Sequence, residues 1–381
     1  MHVLWLASWY PSKADAFAGD FIQRHAQATS LFCSVYVLHV SEVAARIPQV
    51  REERVSEEGN LIEHIVYCRR YSIPIIGRLL FYFRFFALQK KCIDRYISMY
   101  GKPQVVHVHV SLKSGLVALW MKTRYKIPYV VTEHYDIYNK VVPDRFEKRS
   151  MLFRYLTRKV VGCSDLLLPV SDHLGKSINR LAVQKKYFTI PNVVDTSIFN
   201  FTTPPGSTFR FIHVSNLVPR KNVWGIIDAV KQITANNIPV ELLIVGADND
   251  SVASYAQQSG ILQHVVFAGE VAYRDVAEFI KGSHAMVLFS KSENLPCVVL
   301  EALCCGRPVI STPVGGIPEV ISKQNGILVD DDGQALLKAM IALMNNYSNY
   351  DLPAISAAAT EQYAYPVVGK MISNTYTLSG A

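Results

Sequence analysis

Glu293 and Glu301 stand eight positions apart in SENLPCVVLEALCCG, on either side of Pro296. A carboxylate only accepts hydrogen bonds, and its two oxygens match a pair of sugar hydroxyls. Glu301 thus suits a ribose and Glu293 the hydroxyls of a sugar in transit. Between them, Pro296 falls where the first helical position would be, a place that tolerates its missing N–H. The helix CVVLEALCC then stops at Gly306. Its start would present free N–H groups around Cys297 and Val298, a ready anion site for a diphosphate. Read alone, the two acids are as well explained by an early-turn preference at Glu301 and a solvated loop position at Glu293. The following VGGIPEV shifts the balance, because Gly315 and Gly316 give a tight turn that lets a ligand approach the backbone.

Such residues need a scaffold, and the chain supplies one. Short β-branched runs at 2–8, 34–40, 105–110, 129–134, 165–171 and 187–194 alternate with helical patterns such as 20–31. Residues 199–210, with two prolines, a glycine and a Ser/Thr cluster, break the rhythm and read as a linker. The alternation restarts with strands at 211–217, 240–247, 265–271, 285–290, 308–312 and 326–330 and helices at 223–233 and 275–283. Buried strands alternating with helices predict an α/β fold of two doubly wound, parallel-sheet domains. The domains would span 1–198 and 211–362, facing each other across a ligand-binding cleft at the carboxyl ends of their strands. The aromatic, helical stretch at 363–381 is expected to cross back onto the first domain.

Composition narrows the class. The chain has 381 residues, half hydrophobic and 18% charged, enough for two full cores and unlike a disordered chain. A net charge of +8 favours an anionic partner. Seven cysteines without a CxxC pair argue against a disulfide framework or a structural zinc and for a reducing, cytoplasmic setting. The start MHVLWLASWYPS lacks a basic n-region and reads as a buried strand, and no run approaches the ~18 apolar residues that span a bilayer. Two basic, aromatic stretches at 73–96 and 145–159 suit either an anionic membrane surface or a core helix with a solvated basic face. They carry no nucleic-acid motif, so nucleic acid is not the expected partner. The acids of 248–250 and 330–332 read as turn formers rather than a cation site. His107 and His109 share one strand face without a third ligand in view, and read as buried or cleft-lining.

Taken in order, these motifs resemble glycosyltransferase family 4, retaining enzymes of the GT-B fold with an E-x7-E signature. SENLPCVVLEALCCGRPVISTPVGGIPEVI carries the likeness, with HVSNLVPRKN (213–222), IPNVVD (190–195), VVFAGEV (265–271), QNGILVDDD and the strands VVHVHV and VVTEH. The resemblance implies that Glu293 contacts the donor sugar, Glu301 holds the ribose and Lys221 neutralises the diphosphate. It also implies that the backbone near Gly19 closes over the phosphates and that His134 reaches the reacting sugar. Asn216, Arg220, Val271, Asn294, Leu295, Pro296, Cys297 and Val298 complete the implied donor site. The chain departs from the family's pattern at Asn216, where an arginine is usual; neighbouring Arg220 is the candidate replacement. It departs again at Asn192-Val193, where an asparagine–glycine pair is usual, and at Gly19-Asp20, where paired glycines are common.

The implied reaction moves a sugar from a UDP- or GDP-sugar to an acceptor hydroxyl with retention, without a metal or other cofactor. Lys221, Arg220 and helix amides would meet the charge left on the diphosphate. The acceptor is expected to be a glycan, lipid-linked, in surface polysaccharide or lipopolysaccharide synthesis at the cytoplasmic face of the membrane. A sugar-nucleotide epimerase of the same fold and a catalytically idle nucleotide-sugar binder are the alternatives.

Overall fold

The computed structural model describes residues 1–43, 52–69, 76–204, 206, 208–247 and 250–378. Residues 73–75 of the first basic stretch, Asp248 and Asn249 of the DND run, residues 205 and 207 of the linker reading and the last three residues lie outside this set. The chain forms two compact units, residues 1–140, 144–193 and 365–381 in one, and 141–143 and 194–364 in the other.

The first unit is built on strands β1 (His2–Ala7), β2 (Ser34–Val43), β3 (Glu52–Glu58), β4 (Leu61–Arg69), β5 (Val105–His109), β6 (Tyr129–Glu133) and β7 (Leu166–Pro169). Their order is β3-β4-β2-β1-β5-β6-β7. All pairs are parallel except β3 with β4, an edge hairpin turned at Gly59 and Asn60. The sequence reading missed this hairpin. EERVSEE is charged, as edge strands are to discourage further pairing, and so lacks the apolar run that marks a parallel strand. The predicted strand at 187–194 does not form. Tyr187 and Val194 each make one isolated bridge, and Pro191 between them has no N–H to continue a ladder.

Helices α1 (Asp20–Ser30), α2 (Ile76–Tyr100), α3 (Ser114–Tyr125), α4 (Met151–Cys163) and α5 (Asp172–Leu181) belong to this unit, as does the C-terminal helix α12 (Tyr365–Leu378). A Cβ on Gly369 of α12 would lie 2.1 Å from the Ala28 carbonyl of α1, so only glycine allows this approach. Further along α12, the Tyr376 hydroxyl accepts from the Trp5 indole N–H at 3.1 Å and lies 2.7 Å from His107 Nδ1. In α2, Phe81, Phe85, Ile93 and Tyr96 are buried, while Lys90, Lys91 and Arg95 are exposed. Among the described residues no helix is long and apolar enough to cross a membrane.

The second unit has six parallel strands, β8 (Phe209–Val214), β9 (Val240–Val245), β10 (Val265–Gly269), β11 (Ala285–Leu288), β12 (Val309–Ser311) and β13 (Gly326–Leu328). Their order is β10-β9-β8-β11-β12-β13. Near-continuous apolar strands fit a sheet covered on both faces, here by α6 (Val223–Ala235), α7 (Ser251–Gln258), α8 (Tyr273–Lys281), α9 (Cys297–Cys304), α10 (Gly333–Asn345) and α11 (Leu352–Tyr363). Strand order reverses between β8 and β11, and the loops beyond their carboxyl ends are the place where such a sheet takes a ligand. Residues 199–204, read from sequence as linker, hold the fully buried Phe199, its ring tilted against Tyr273 at 4.9 Å, and Thr202, whose carbonyl accepts from the buried Arg307 guanidinium at 2.6 Å.

Candidate active site

In the second unit, three loops carry the predicted donor residues. The first leaves β8. His213 Nδ1 lies 2.9 Å from the Val287 carbonyl, which can only accept, so this nitrogen carries the proton and Nε2 accepts from the Ser215 hydroxyl at 2.8 Å. Burial pushes His213 down to about 4, so the ring is neutral. It thereby ties the end of β8 to β11 and shapes the turn that follows, where Ser215 Oγ also accepts from Leu217 N–H. Gly246 packs behind the turn; a Cβ there would sit 1.8 Å from the Ser215 carbonyl. Asn216 and Arg220 are exposed on this loop, and Lys221 is half-buried.

The second loop leaves β11 and carries Glu293. Its backbone is pinned at Lys291, whose N–H donates to the Arg220 carbonyl at 2.8 Å. Lys221 Nζ then reaches Glu293 Oε1 at 2.5 Å, with the two side chains only 13% and 10% exposed. A pair so sheltered is screened less than a surface ion pair. The hydroxyls of Ser290 and Ser292 in the same loop are buried without a partner; sequence reading passed over both.

The third loop carries the glycine pair. Gly315 has φ +61, and a Cβ there would lie 2.0 Å from the Glu293 carbonyl. Gly316 N–H donates to the Asn294 carbonyl at 2.5 Å. The close approach foreseen at Gly315 is therefore to the Glu293–Asn294 backbone: the turn holds the acid-bearing loop in place. Gly316, at φ −86, needs no left-handed conformation.

Helix α9 begins at Cys297 with Pro296 as its N-cap, at φ −70 and ψ 125. This corrects the expected N1 position: the extended ψ of Pro296 keeps it outside the helix. Pro296, Cys297 and Val298 are half-buried, and Leu295 is buried beneath them. Glu301, one turn in, is only 2% exposed and accepts from the Tyr273 hydroxyl at 3.0 Å. Tyr273 opens α8, two residues beyond half-buried Val271. It too was missed, since nothing local to VAYRD marks it as the partner of an acid 28 positions away.

The structure thus joins Lys221 to Glu293 and Glu301 to Tyr273, while the carbonyls of Arg220 and Asn294 accept from the N–H groups of Lys291 and Gly316. Asn216 is placed on the same loop as Lys221, facing solvent.

In the first unit, Gly19 caps α1 at φ +71, and a Cβ would lie 2.7 Å from the Trp9 carbonyl carbon, which alone requires glycine. His134 follows β6 and is half-buried. Its loop is organised by Glu133, a buried carboxylate that accepts from the N–H groups of Ser111, His134 and Tyr135 at 3.1, 3.0 and 2.9 Å. Burial raises the Glu133 pKa, and these three bonds pull the other way. Burial, with His25 and His107 nearby, holds His134 well below the usual histidine range. His107 is engaged by the hydroxyls of Tyr376 and Thr132, both at 2.7 Å. Its neighbour His109 meets His25 and His134 instead.

The sequence profile "Glycosyl transferases group 1" matches residues 195–364, and "Glycosyltransferase Family 4" matches residues 33–198. The chain belongs to the group 1, family 4 glycosyltransferases. An uncharacterized glycosyltransferase, MJ1178, of Methanocaldococcus jannaschii is 28% identical over 64% of this chain and 66% of its own, just under two thirds of that relative. The putative teichuronic acid biosynthesis glycosyltransferase TuaC of Bacillus subtilis is 24% identical over 89% of this chain and 88% of its own. Among solved structures, Anabaena HepE in complex with UDP superposes with a TM-score of 0.74 at 16% identity, covering all of both chains. The fold is GT-B.

Proposed function

We propose that this glycosyltransferase moves a sugar from a UDP- or GDP-sugar to a hydroxyl of a lipid-linked glycan, with retention, in surface polysaccharide synthesis. One observation carries the reading: the sheltered Lys221–Glu293 pair stands at the carboxyl ends of β8 and β11, on loops adjoining the start of α9. Lys221 can leave Glu293 for the diphosphate, joined by N–H groups of the α9 start and the nearby charge of Arg220. Glu293, released, accepts from hydroxyls of the donor sugar, and Glu301 accepts from the ribose. With lysine and helix amides meeting the phosphate charge, the donor needs no metal. Gly19 and His134 are assigned to the phosphates and the sugar by their motif positions.

The UDP bound by HepE supports a uridine donor, and the teichuronic acid role of TuaC supports a polysaccharide product. Exposed Lys90, Lys91 and Arg95 on α2, with Phe83 at 74% exposure, support a peripheral site on an anionic leaflet. The test is a melting-curve screen of UDP- and GDP-sugars, followed by incubation of the hit with lipid-linked glycan acceptors and NMR of the product anomer. Transfer with retained configuration is expected. Binding without turnover would make the protein an idle binder, and donor interconversion without acceptor would make it an epimerase.

A further inference from the structure

The first unit holds a second cluster of capable groups, and the donor reading uses only one of them. His25 on α1, His109 at the end of β5 and His134 after β6 each offer a ring nitrogen within 4.8 Å of the other two. His25 and His109 are buried and His134 is half-buried.

The rings are set as ligands. His25 Nε2 lies 3.1 Å from the Pro191 carbonyl. That oxygen can only accept, so Nε2 carries the proton and Nδ1 the lone pair. This Nδ1 is buried without a partner. A carbonyl behind one ring nitrogen is how proteins orient an imidazole that ligates through the other. His109 Nδ1 and His134 Nε2 are 3.3 Å apart, long for a hydrogen bond. It is the separation, about 3.3 Å, of two nitrogens each about 2.0–2.1 Å from one tetrahedral ion.

We propose that His25, His109 and His134 form a three-histidine site for a divalent transition ion of the zinc type, with its fourth position open to water. The set has no carboxylate, so it does not suit magnesium or calcium. An ion here occupies a ring nitrogen of His134. If His134 serves the transferred sugar, as the function proposed above has it, zinc inhibits transfer. That consequence rests on the proposed function, whereas the site itself does not.

The experiment titrates the untagged 381-residue chain with Co²⁺ and then Zn²⁺. Expected are the intense visible bands of tetrahedral cobalt without a thiolate charge-transfer band, their loss on adding Zn²⁺, and a rise in Tm that EDTA reverses. H25Q removes one ligand and should weaken Co²⁺ binding at least about 100-fold, since even outer-shell partners are worth 10–100-fold. Its metal-free circular dichroism and Tm report whether it folds. No bands and no Tm shift with the wild-type chain at millimolar Co²⁺ would overturn the site while leaving the transferase reading intact. A thiolate band would also overturn it, placing the ion on a cysteine such as the exposed Cys163. Zinc inhibition of the wild type but not of H25Q supports both proposals. Zinc binding without inhibition keeps the site and withdraws His134 from transfer.

Discussion

The two units present their reactive groups in opposite ways. In the second, Lys221 and Glu293 are opposite charges 2.5 Å apart, each still 10% or more exposed. In the first, His25, His109 and His134 are neutral rings held so chiefly by burial. A charge pair at the rim of a sheet can exchange its partner for a charged ligand, because water and ligand can reach it. Buried neutral rings cannot take up charge cheaply, so they act through lone pairs and shape. The same kind of parallel sheet thus supports either design, and the loop residues at its carboxyl edge decide which.

The largest effect should come from breaking the charged pair. Lys221→Ala is expected to lower kcat/KM by about 10²–10³, the scale of losing one preorganised group that meets developing charge. Glu293→Ala should lose transfer to a similar extent yet bind bare nucleotide as the wild type does, by calorimetry. Matching nucleotide affinities in Lys221→Ala and wild type would remove Lys221 from the diphosphate.

Acid should separate the units next. His25 and His39 in the first unit and His213 in the second have folded pKa values of about 4, lowered by burial from 6.5. His107, His109 and His134 add to the first unit. A depressed histidine is neutral in both states above pH 6.5 and costs nothing there. As pH falls from 6.5 to about 4 only the unfolded chain takes the proton, so stability is lost across that window, by roughly 3 kcal/mol for each such ring. More of these rings lie in the first unit. Hydrogen exchange at pH 5 should therefore show its amides losing protection before those of β8, β9 and β11. Simultaneous loss would contradict the asymmetry.

Smaller changes test the second carboxylate. Glu301→Ala should weaken nucleotide binding about 10–100-fold, from the loss of hydrogen bonds to a charged acceptor worth about 1.5–3 kcal/mol. Tyr273→Phe removes only the donor at 3.0 Å from Glu301. It should cost about 3–10-fold in nucleotide affinity, an ordinary hydrogen bond of about 1 kcal/mol. An effect of Tyr273→Phe as large as that of Glu301→Ala would make Tyr273 a direct ligand contact.

Much of the fold was legible because parallel strands buried on both faces write long apolar runs, as in LLLP of β7 and AMVL of β11. The hairpin of β3 and β4 escaped because its outer strand is charged. The false strand at 187–194 came from an apolar run that Pro191 interrupts. At the site, Glu293, Glu301 and the glycine pair were visible as a spaced motif within 30 residues. Tyr273, His213 and Gly246 were not, since each acts on a residue from another loop, and the pairing of those loops is set by strand order.

By itself the sequence determined two α/β units, a helix start to within one residue of Pro296 and the acids on either side of it, because these depend on local periodicity and on spacing along one segment. Only the tertiary structure decided that Lys221 closes on Glu293, that Gly315 serves the Glu293 backbone, and that His25 joins His109 and His134. Those contacts span up to 109 positions between His25 and His134, and side chains so far apart in the chain meet only where the sheet order brings their loops to one edge.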